Sequence, residues 1–276
     1  MAELADAYGS GPYGVTLGGS NPLVSTIIPG KAVPHLLPQQ DPEFVQKTFS
    51  SIAGRYDFAN HLLSGGLDFF WRARVSRVVA ASNPSRVLDL ATGSGDLAIA
   101  IQKACPLAQV IAADFCLPML GEAKRKNVPC LVQADGLALP FLGESFDAVT
   151  VAFGLRNMAS WEKALGEMHR VLRPGGLLVV LDFSLPTRGP LREIYRVYLH
   201  HFLPRIAGWT TGRAEAYKYL GESIEAFPRG SGMAALIEPQ GFHCGPPRKM
   251  CLGIVSLYAA KKFGCPDSEL PRAQKI

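Results

Sequence analysis

Four residues of one short turn, Asp89, Gly93, Gly95 and Asp96, have the types and spacing of a ligand-binding site. The turn follows a brief apolar run at Arg86–Leu90, which is the pattern of a buried parallel strand. The glycines let the backbone approach a ligand without a Cβ in the way, and a helix that starts here adds free N–H groups. We therefore predict a ligand-binding turn between a strand and a helix.

Two ligands fit such a turn. The glycines together with Ala98 match the dinucleotide fingerprint, and Asp114 lies at about the right distance for a ribose-binding acid. A pyrophosphate, however, needs a turn that is free of carboxylates, whereas Asp89 and Asp96 border this one. These acids favour a cationic ligand, and S-adenosylmethionine carries a sulfonium and an ammonium group. The residues thus favour a methyl donor over a nicotinamide cofactor, with Asp114 on the ribose hydroxyls in either case.

The elements around the turn place acids at three successive strand ends. Strands are predicted over Arg86–Leu90, Gln109–Asp114 and Leu131–Asp135, with helices over Asp96–Ala104 and Leu117–Lys126 between them. Ligands in parallel sheets bind at the carboxyl ends of the strands. Asp89, Asp114 and Asp135 are therefore expected to face one crevice.

The rest of the chain continues the alternation of strands and helices and then departs from it. Further strands are predicted over Phe146–Phe153, Leu177–Phe183, Phe242–Gly245 and Met250–Ala260, with helices over Trp161–Leu172 and Gly232–Gln240, a turn at Arg173–Gly176 and a mostly helical insert at about 188–227. We predict an α/β fold with a doubly wound, mostly parallel, seven-stranded sheet of the Rossmann-like type. Helices precede this sheet, and the helical insert comes before its last strands.

The chain divides into a flexible N-terminal arm at 1–40, a domain at 41–263 and a tail at 264–276, because glycines and prolines crowd the arm. A donor-binding core is expected at about 86–183. A helix is expected to start at 41–43, and the stretch 55–72 mixes polar groups with aromatics. That stretch has two interpretations, a wall of the substrate site or part of the core.

Composition excludes several classes of protein. The net charge of +5 includes no basic run of the kind that follows a nucleic acid. No stretch approaches the roughly 18 apolar residues of a membrane span, and no signal peptide is apparent. The six cysteines have no partner at metal-ligand spacing, so we expect free thiols and no metal. A cytoplasmic protein is the expectation, and a homo-oligomer is compatible with the sequence.

Several longer motifs together resemble one enzyme family, the S-adenosylmethionine-dependent C-methyltransferases of ubiquinone and menaquinone biosynthesis. The resemblance covers about residues 43–262. Its motifs are Tyr56-Asp57-x-x-Asn60 with Trp71-Arg72, Leu88-Asp89-x-x-x-Gly93-Ser94-Gly95-Asp96, Phe153-Gly154-Leu155-Arg156-Asn157, Arg170-Val-Leu-x-Pro174-Gly-Gly176, Asp182-Phe183-Ser184, Leu203-Pro204-Arg205 and Tyr217-x-Tyr219-Leu220-x-Glu222-Ser223-Ile224. The glycine motif is common to many methyltransferases, whereas the Tyr56, Leu155-Arg156-Asn157 and Asp182-Phe183-Ser184 motifs are far more specific.

The resemblance implies a donor site for S-adenosylmethionine. In this family the loop around Ser94 would contact the donor, Asp114 would bind its ribose, and Asp135 with Gly136 would lie beside the adenine. Together with Asp89, Gly93 and Gly95 these residues are the expected cofactor-binding set. Ala152 departs from the family, which often has a serine there.

The implied reaction is methylation of a ring carbon in a polyprenyl naphthoquinol or benzoquinol. The ring carbon attacks the methyl group only when the neighbouring hydroxyl releases electron density, so its proton must leave or the phenolate must be stabilised. Arg156, Asn157 and Tyr56 are the expected catalytic residues. An arginine is a poor base, so Arg156 is expected to pair with the phenolate or orient a water, unless a structural acid occupies it.

Two alternative functions remain open, a nicotinamide oxidoreductase and a non-catalytic donor-binding partner in a quinone-biosynthesis assembly. Because the expected substrate is lipid-bound, peripheral contact with the inner face of the membrane is also expected. Apolar residues recur at helical spacing along Arg188–Ile206, and this face either packs inward or lies on the lipid surface. A charge at Leu199 distinguishes the two, because it would destabilise a packed helix but not one that lies on lipid.

Overall fold

The computed structural model describes residues 43–48, 50, 64–186, 189–202, 205 and 214–264, and only the helical backbone of 214–218. Residues 43–48 are helical. The predicted arm at 1–40 and residues 265–276 of the predicted tail lie outside the described residues, as does Tyr56.

A mixed β-sheet forms the centre of the described chain. Its strands are β1 (Arg86–Leu90), β2 (Gln109–Asp114), β3 (Leu131–Gln133), β4 (Phe146–Ala152), β5 (Leu172–Phe183), β6 (Phe242–Cys244), β7 (Arg248–Met250) and β8 (Val255–Lys262). The order is β3-β2-β1-β4-β5-β8-β6, with β7 also paired to β8. The first five strands in this order run parallel, and β8 is antiparallel to its neighbours. The predicted fold class is confirmed, with β7 as an additional eighth strand.

Helices cover both faces of the sheet. They are α1 (Leu67–Ala80), α2 (Asp96–Ala104), α3 (Leu117–Arg125), α4 (Trp161–Val171), α5 (Pro190–Val197), α6 (Ala214–Ala226) and α7 (Ser231–Ile237). Successive strand residues point to opposite faces, so Leu88 joins a core with α4 and α7 while Val87 joins a core with α1 and α2. Both side chains are fully buried. This two-sided burial explains the continuous apolar runs in the sequence.

The larger differences from the sequence prediction concern β3, β5 and the last two strands. Strand β3 ends at Gln133, and Asp135 follows it in an isolated bridge to Ala138. The predicted turn at Arg173–Gly176 is instead a bulge within β5, because Phe146 pairs with Leu172 and Ala148 with Leu177. The predicted strand Met250–Ala260 is divided into β7 and β8 by a 3₁₀ turn at Cys251–Gly253, in which all three residues have positive φ.

The predicted helical insert is present as α5, a π-helical turn at Tyr198–Phe202, and α6. Its apolar residues differ in burial. Leu199 is buried against Leu185 and Ile224, whereas Ile194 and Phe202 are exposed. In the described part of the chain, no helix combines the length and apolar character needed to cross a bilayer.

Candidate active site

The second glycine of the turn after β1, Gly95, lies so close to neighbouring residues that a side chain there would clash with them. Gly95 has φ +85°, and a Cβ there would lie 2.6 Å from Cγ2 of Val128. Gly93 also has a left-handed φ of 58°. Glycine is the residue that adopts this conformation without a steric cost. The turn therefore exposes backbone at the carboxyl end of β1, as the sequence predicted.

Asp89 lies behind this turn and is buried. Its Oδ2 accepts a hydrogen bond from Thr92 Oγ1 at 2.6 Å, and its Oδ1 accepts one from Thr150 Oγ1 at 2.7 Å. Burial raises the pKa of Asp89 to about 6, although the two threonine hydroxyls oppose the shift. The carboxylate thus ties the turn to β4 and does not line the cavity described below.

Asp96, the other acid of the turn, is neutralised within the protein. Lys126 Nζ donates a hydrogen bond to its Oδ1, and Arg72 lies 3.4 Å from its Oδ2. Arg72 also forms an ion pair with Asp68. The two acids that favoured a cationic ligand in the sequence are therefore both engaged by protein groups. The sequence carried no sign of these partners, because they are brought in by other elements.

Asp114 at the end of β2 reaches the same turn from the neighbouring strand. Its Oδ2 accepts a hydrogen bond from the Gly93 backbone N at 2.7 Å, and its Oδ1 accepts one from the Cys116 backbone N at 2.8 Å. Burial raises the pKa of Asp114, while backbone N–H groups oppose the shift. A carboxylate has about four acceptor positions, so this side chain retains capacity for ligand hydroxyls.

A cavity opens at this edge of the sheet. Of the predicted site residues, those that line it are Gly93, Asp114, Asp135, Gly136 and Asn157. Ser94 and Gly95 are in the turn but not in the lining, and Arg156 is also outside it. The remaining walls are mostly apolar and include Val45, Leu90, Phe115, Met119, Phe153 and Met158. This combination of apolar walls and a few polar groups is typical of a small-molecule site.

One end of the cavity is narrow. A Cβ on Gly136 would lie 3.1 Å from both Sδ and Cε of Met158. The absence of a side chain at Gly136 therefore leaves a narrow space, or slot, beside the methionine. Asp135 is exposed here, and its Oδ1 accepts a hydrogen bond from the Leu137 backbone N at 2.9 Å. A polar group beside an apolar slot suits a flat heteroaromatic ring with hydrogen-bonding edges.

The turn after β4 forms the opposite wall and carries the predicted catalytic residues. Asn157 Nδ2 donates a hydrogen bond to the Phe153 carbonyl at 3.3 Å, and Asn157 Oδ1 accepts one from the Tyr219 hydroxyl at 2.9 Å. Arg156 is buried, and its guanidinium NH1 donates to the Phe153 carbonyl and to Asp182 Oδ1, both at 2.6 Å. Arg156 is therefore paired with an acid of the protein, Asp182, which is one of the two possibilities that the sequence left open.

The two turns meet where the backbone is strained. Ala91 after β1 and Phe153 after β4 both have positive φ, at 54° and 58°. A Cβ on Gly154 would lie 2.3 Å from Cβ of Ala91. Strained non-glycine residues of this kind are frequent at functional sites. The contact joins the wall of the cavity at Gly93 and Asp114 to the wall that carries Asn157.

Comparisons with known proteins agree with this geometry. The model of the ubiE/COQ5 methyltransferase family matches residues 38–262. The chain belongs to this family.

Two curated relatives and one solved structure illustrate the match. A demethylmenaquinone methyltransferase of Thermus thermophilus is 49% identical, with 70% of this chain and 90% of that protein covered. The ubiquinone/menaquinone biosynthesis C-methyltransferase UbiE of Syntrophotalea carbinolica is 44% identical, with coverage of 76% and 91%. A methyltransferase structure from Thermotoga maritima has a TM-score of 0.55 at 15% identity, covering 79% of this chain and 99% of that one, and it supports the fold alone.

Membership in the ubiE/COQ5 family makes the chain an S-adenosylmethionine-dependent C-methyltransferase of quinone biosynthesis. The comparisons do not favour a nicotinamide oxidoreductase or a non-catalytic partner. The cavity also fits the donor of this family, because Gly93 exposes backbone beside Asp114 and Gly136 leaves a slot beside Met158. The identification therefore agrees with the groups that are present.

The cavity and its surroundings include residues that the sequence did not single out. Tyr219 reaches Asn157 from α6, and Val45 and Gln46 line the cavity from the helical residues 43–48. Trp71, in contrast, is a core residue whose ring contacts Phe153 and Phe183 with centroids 5.9 and 6.0 Å apart. Tyr219 stood in a quoted motif, but its contact spans 62 positions of the chain and has no local signal.

Proposed function

We propose that the substrate is a polyprenyl naphthoquinol, demethylmenaquinol, and that the enzyme methylates its ring carbon. The observation that carries this proposal is the meeting of a donor-side wall at Gly93 and Asp114 with a polar wall at Asn157 in one apolar cavity. The relatives named above as demethylmenaquinone methyltransferases support the naphthoquinol ring. A benzoquinol is the second candidate, since other relatives are named for both quinones.

On the donor side, we assign each predicted residue a role that suits its position. Asp114 binds the ribose hydroxyls, and Asp135 and Gly136 hold the adenine ring beside Met158. Gly93, Ser94 and Gly95 bring the turn close to the donor, while Asp89 acts indirectly by tying that turn to β4. When bound, S-adenosylmethionine supplies a methyl group whose bond to sulfur breaks as the ring carbon forms its new carbon–carbon bond.

On the acceptor side, Asn157, Arg156 and Tyr56 are assigned to the ring. The Tyr219 hydroxyl and the Phe153 carbonyl fix both ends of the Asn157 amide, which suits a group that orients a ring hydroxyl. Arg156 keeps a permanent positive charge in a buried position and is suited to stabilise a phenolate. Tyr56 keeps its proposed positioning role from the family motif.

We also propose that the enzyme works from the cytoplasm at the surface of the membrane, because a polyprenyl chain remains in the bilayer. Exposed apolar side chains on α5 and in the π-helical turn that follows it, Ile194, Val197 and Phe202, support this contact. Arg196 of the same helix forms ion pairs with Glu193 and Glu225, so the apolar side chains carry this proposal. A homo-oligomer remains compatible with this arrangement.

The decisive experiment compares ring acceptors with the purified enzyme and S-adenosylmethionine. Demethylmenaquinol and a demethylated benzoquinol of equal prenyl length are offered in the same detergent, and the products are identified by mass. Methylation of the naphthoquinol with a higher kcat/KM is the expected result. In cells that lack the protein, the naphthoquinone should be lighter by one methylene group. Preferential methylation of the benzoquinol would overturn the choice of ring.

A further inference from the structure

Two arginines, one in the helical insert and one just after it, are half-buried but not paired with the described part of the chain. Arg192 lies in the first turn of α5, and Arg229 lies three residues after the end of α6. The Nε atom of Arg192 is buried, and within the described residues neither guanidinium group forms a hydrogen bond or an ion pair. Charged side chains that leave water are normally paired, because an isolated charge is costly to bury. The two arginines are therefore candidates for binding a ligand of opposite charge.

The packing of α5 against α6 brings these two arginines to the same place. In the turn after α5, the Leu199 carbonyl O would lie 3.2 Å from a Cβ on Gly221. One turn earlier, Arg196 Nε donates a hydrogen bond to Glu225 Oε1 at 2.7 Å. The two segments therefore run in opposite directions. A further step of four residues, backward along α5 and forward beyond Glu225, places the two unpaired arginines opposite each other.

The charges around the pair agree with this geometry. Burial lowers the pKa of Arg229, and the positive charge of Arg192 lowers it further, while Glu225 opposes the shift. Both arginines nevertheless stay charged at neutral pH, because the pKa of a guanidinium group is so high. Glu225 is engaged elsewhere, since its Oε1 bonds to Arg196 and lies 3.2 Å from His200 Nε2. The two cations therefore repel each other, and no acid of the described chain is bonded to either.

The backbone holds Arg229 in position without a ligand. The Gly230 backbone N donates a hydrogen bond to the Tyr258 hydroxyl at 2.9 Å, and the Arg229 carbonyl accepts one from the Gly232 backbone N at 3.0 Å. Phe227, two residues earlier, is buried in the core. The other arginine is carried by a helix. Groups that are fixed in this way lose little conformational entropy when they bind a ligand.

We propose that Arg192 and Arg229 form a binding site for a phosphate group. A guanidinium group presents parallel N–H donors that match two phosphate oxygens, so two such groups can hold one phosphate. A phosphate monoester carries about two negative charges at neutral pH and balances both cations, whereas a carboxylate carries one. Neither arginine lines the methyl-transfer cavity, so this site is separate from the one that binds the donor and the quinol.

The phosphate group has two sources, a soluble phosphate and a lipid headgroup. Residues four positions apart share a helix face, so Arg192 lies on the face of Arg196, which is turned toward α6. Ile194 and Val197 lie on the other side of α5 and are exposed. The face that would rest on lipid is therefore not the face of the arginines. This arrangement favours a soluble phosphate.

Calorimetry with inorganic phosphate tests the site directly. The wild type should bind it saturably, and Arg192→Gln and Arg229→Gln should each weaken the binding about tenfold or more, through loss of charged hydrogen bonds. Arg125→Gln is the matched control, because it removes an equal charge from α3, where Arg125 pairs with Glu122. Should Arg192→Gln not fold, Arg192→Lys is the milder variant, which keeps the charge but loses the paired donors and should also weaken the binding. Absent binding, or equal binding by all variants, would overturn the proposal.

Thermal stability gives a second readout, and neither readout requires methyl transfer. Phosphate at constant ionic strength should raise the melting temperature of the wild type more than that of either glutamine variant, because general salt effects are common to all three proteins. Equal shifts would contradict the site. Vesicles of phosphatidic acid, with phosphatidylcholine vesicles as the control, distinguish the two sources. Sedimentation that both substitutions abolish, without binding of inorganic phosphate, would support the site and assign it to a lipid headgroup.

Discussion

At the scale of single residues, three aspartates at neighbouring strand ends have three different environments. Asp89 is held by two threonine hydroxyls, Asp114 by backbone N–H groups, and Asp135 is exposed. Their positions could be predicted from the sequence, because each follows an apolar run that ends at one edge of a parallel sheet. Their partners could not, because Thr150 lies 61 positions from Asp89 and has no local signal. The prediction that all three face one crevice is therefore wrong for Asp89, which is bonded to the threonines and does not line the cavity, and correct for Asp114 and Asp135.

For Asp114, we expect Asp114→Ala to weaken the binding of S-adenosylhomocysteine by about 2 kcal/mol, roughly thirtyfold, through loss of charge-assisted hydrogen bonds. Isothermal titration calorimetry measures the change. Asp147→Ala serves as the control, because it removes an acid from the start of β4, away from the cavity. Unchanged affinity in a folded Asp114→Ala protein would remove this residue from the donor site.

Asp89 should make stability depend on pH. Its pKa rises from 3.8 to about 6 in the folded protein, so between these values the folded state holds a proton that the unfolded chain has released. The free energy of unfolding therefore falls as the pH rises through this window. Asp89→Asn removes this pH dependence. The free energy of unfolding of the variant, relative to that of the wild type, should therefore increase by up to about 3 kcal/mol from the acid end to the alkaline end of the window. Denaturant melts at matched pH values measure the difference, and a constant difference would contradict the assignment.

At the scale of elements, the sequence predicted the bounds of β1, β2 and α2 to the residue, because apolar periodicity and strand-ending acids mark them. It failed at the bulge in β5 and between β7 and β8. Arg173–Gly176 has the composition of a turn, and only its pairing with β4 shows that the strand continues. Cys251 and Leu252 have left-handed φ without the glycine or asparagine that usually signals it. These features depend on neighbouring elements and have no local signature.

The contact between the turns after β1 and β4 should not tolerate one added methyl group. Gly154→Ala would drive its Cβ into Ala91, so we expect a loss of stability of about 1–3 kcal/mol and weaker donor binding. Adding Ala91→Gly should restore both, because the glycine removes the clash and suits the positive φ at that position. Thermal melts and calorimetry measure the effect. Gly121→Ala is the control, since nothing lies within 4 Å of the added group; a double variant as impaired as the single one would contradict this explanation.

At the scale of the whole molecule, the carboxyl ends and the amino ends of the parallel strands carry different kinds of residues. The carboxyl edge of the parallel strands carries the cavity, the strained turns and the Arg156–Asp182 pair. The opposite edge carries Asp147, whose bonds to Arg173 and to the Ser85 and Arg86 backbone N–H groups connect β1, β4 and β5. Substitutions at the first edge should therefore alter catalysis, whereas those at the second should alter stability.

Membrane contact should likewise be confined to one region. Ile194→Glu combined with Val197→Glu should reduce sedimentation with anionic liposomes while leaving the melting temperature nearly unchanged, because both side chains are already exposed. Leu107→Glu is the matched control, since Leu107 is fully exposed before the start of β2, at the opposite edge. Leu199→Glu should instead lower the melting temperature, because that side chain is buried and the charge would be buried with it. Undiminished liposome binding by the Ile194 and Val197 variant would refute the proposed contact.

The close approach of Gly154 to Ala91 also bears on the order in which the two substrates bind. Because no space remains between these residues, a shift of the donor-side turn is passed directly to the turn that carries Arg156 and Asn157. An occupied donor site would then set the acceptor site in its working geometry before the quinol arrives. We expect compulsory-order kinetics, with S-adenosylmethionine first and S-adenosylhomocysteine released last, so that a quinol which meets the empty enzyme returns to the bilayer unchanged.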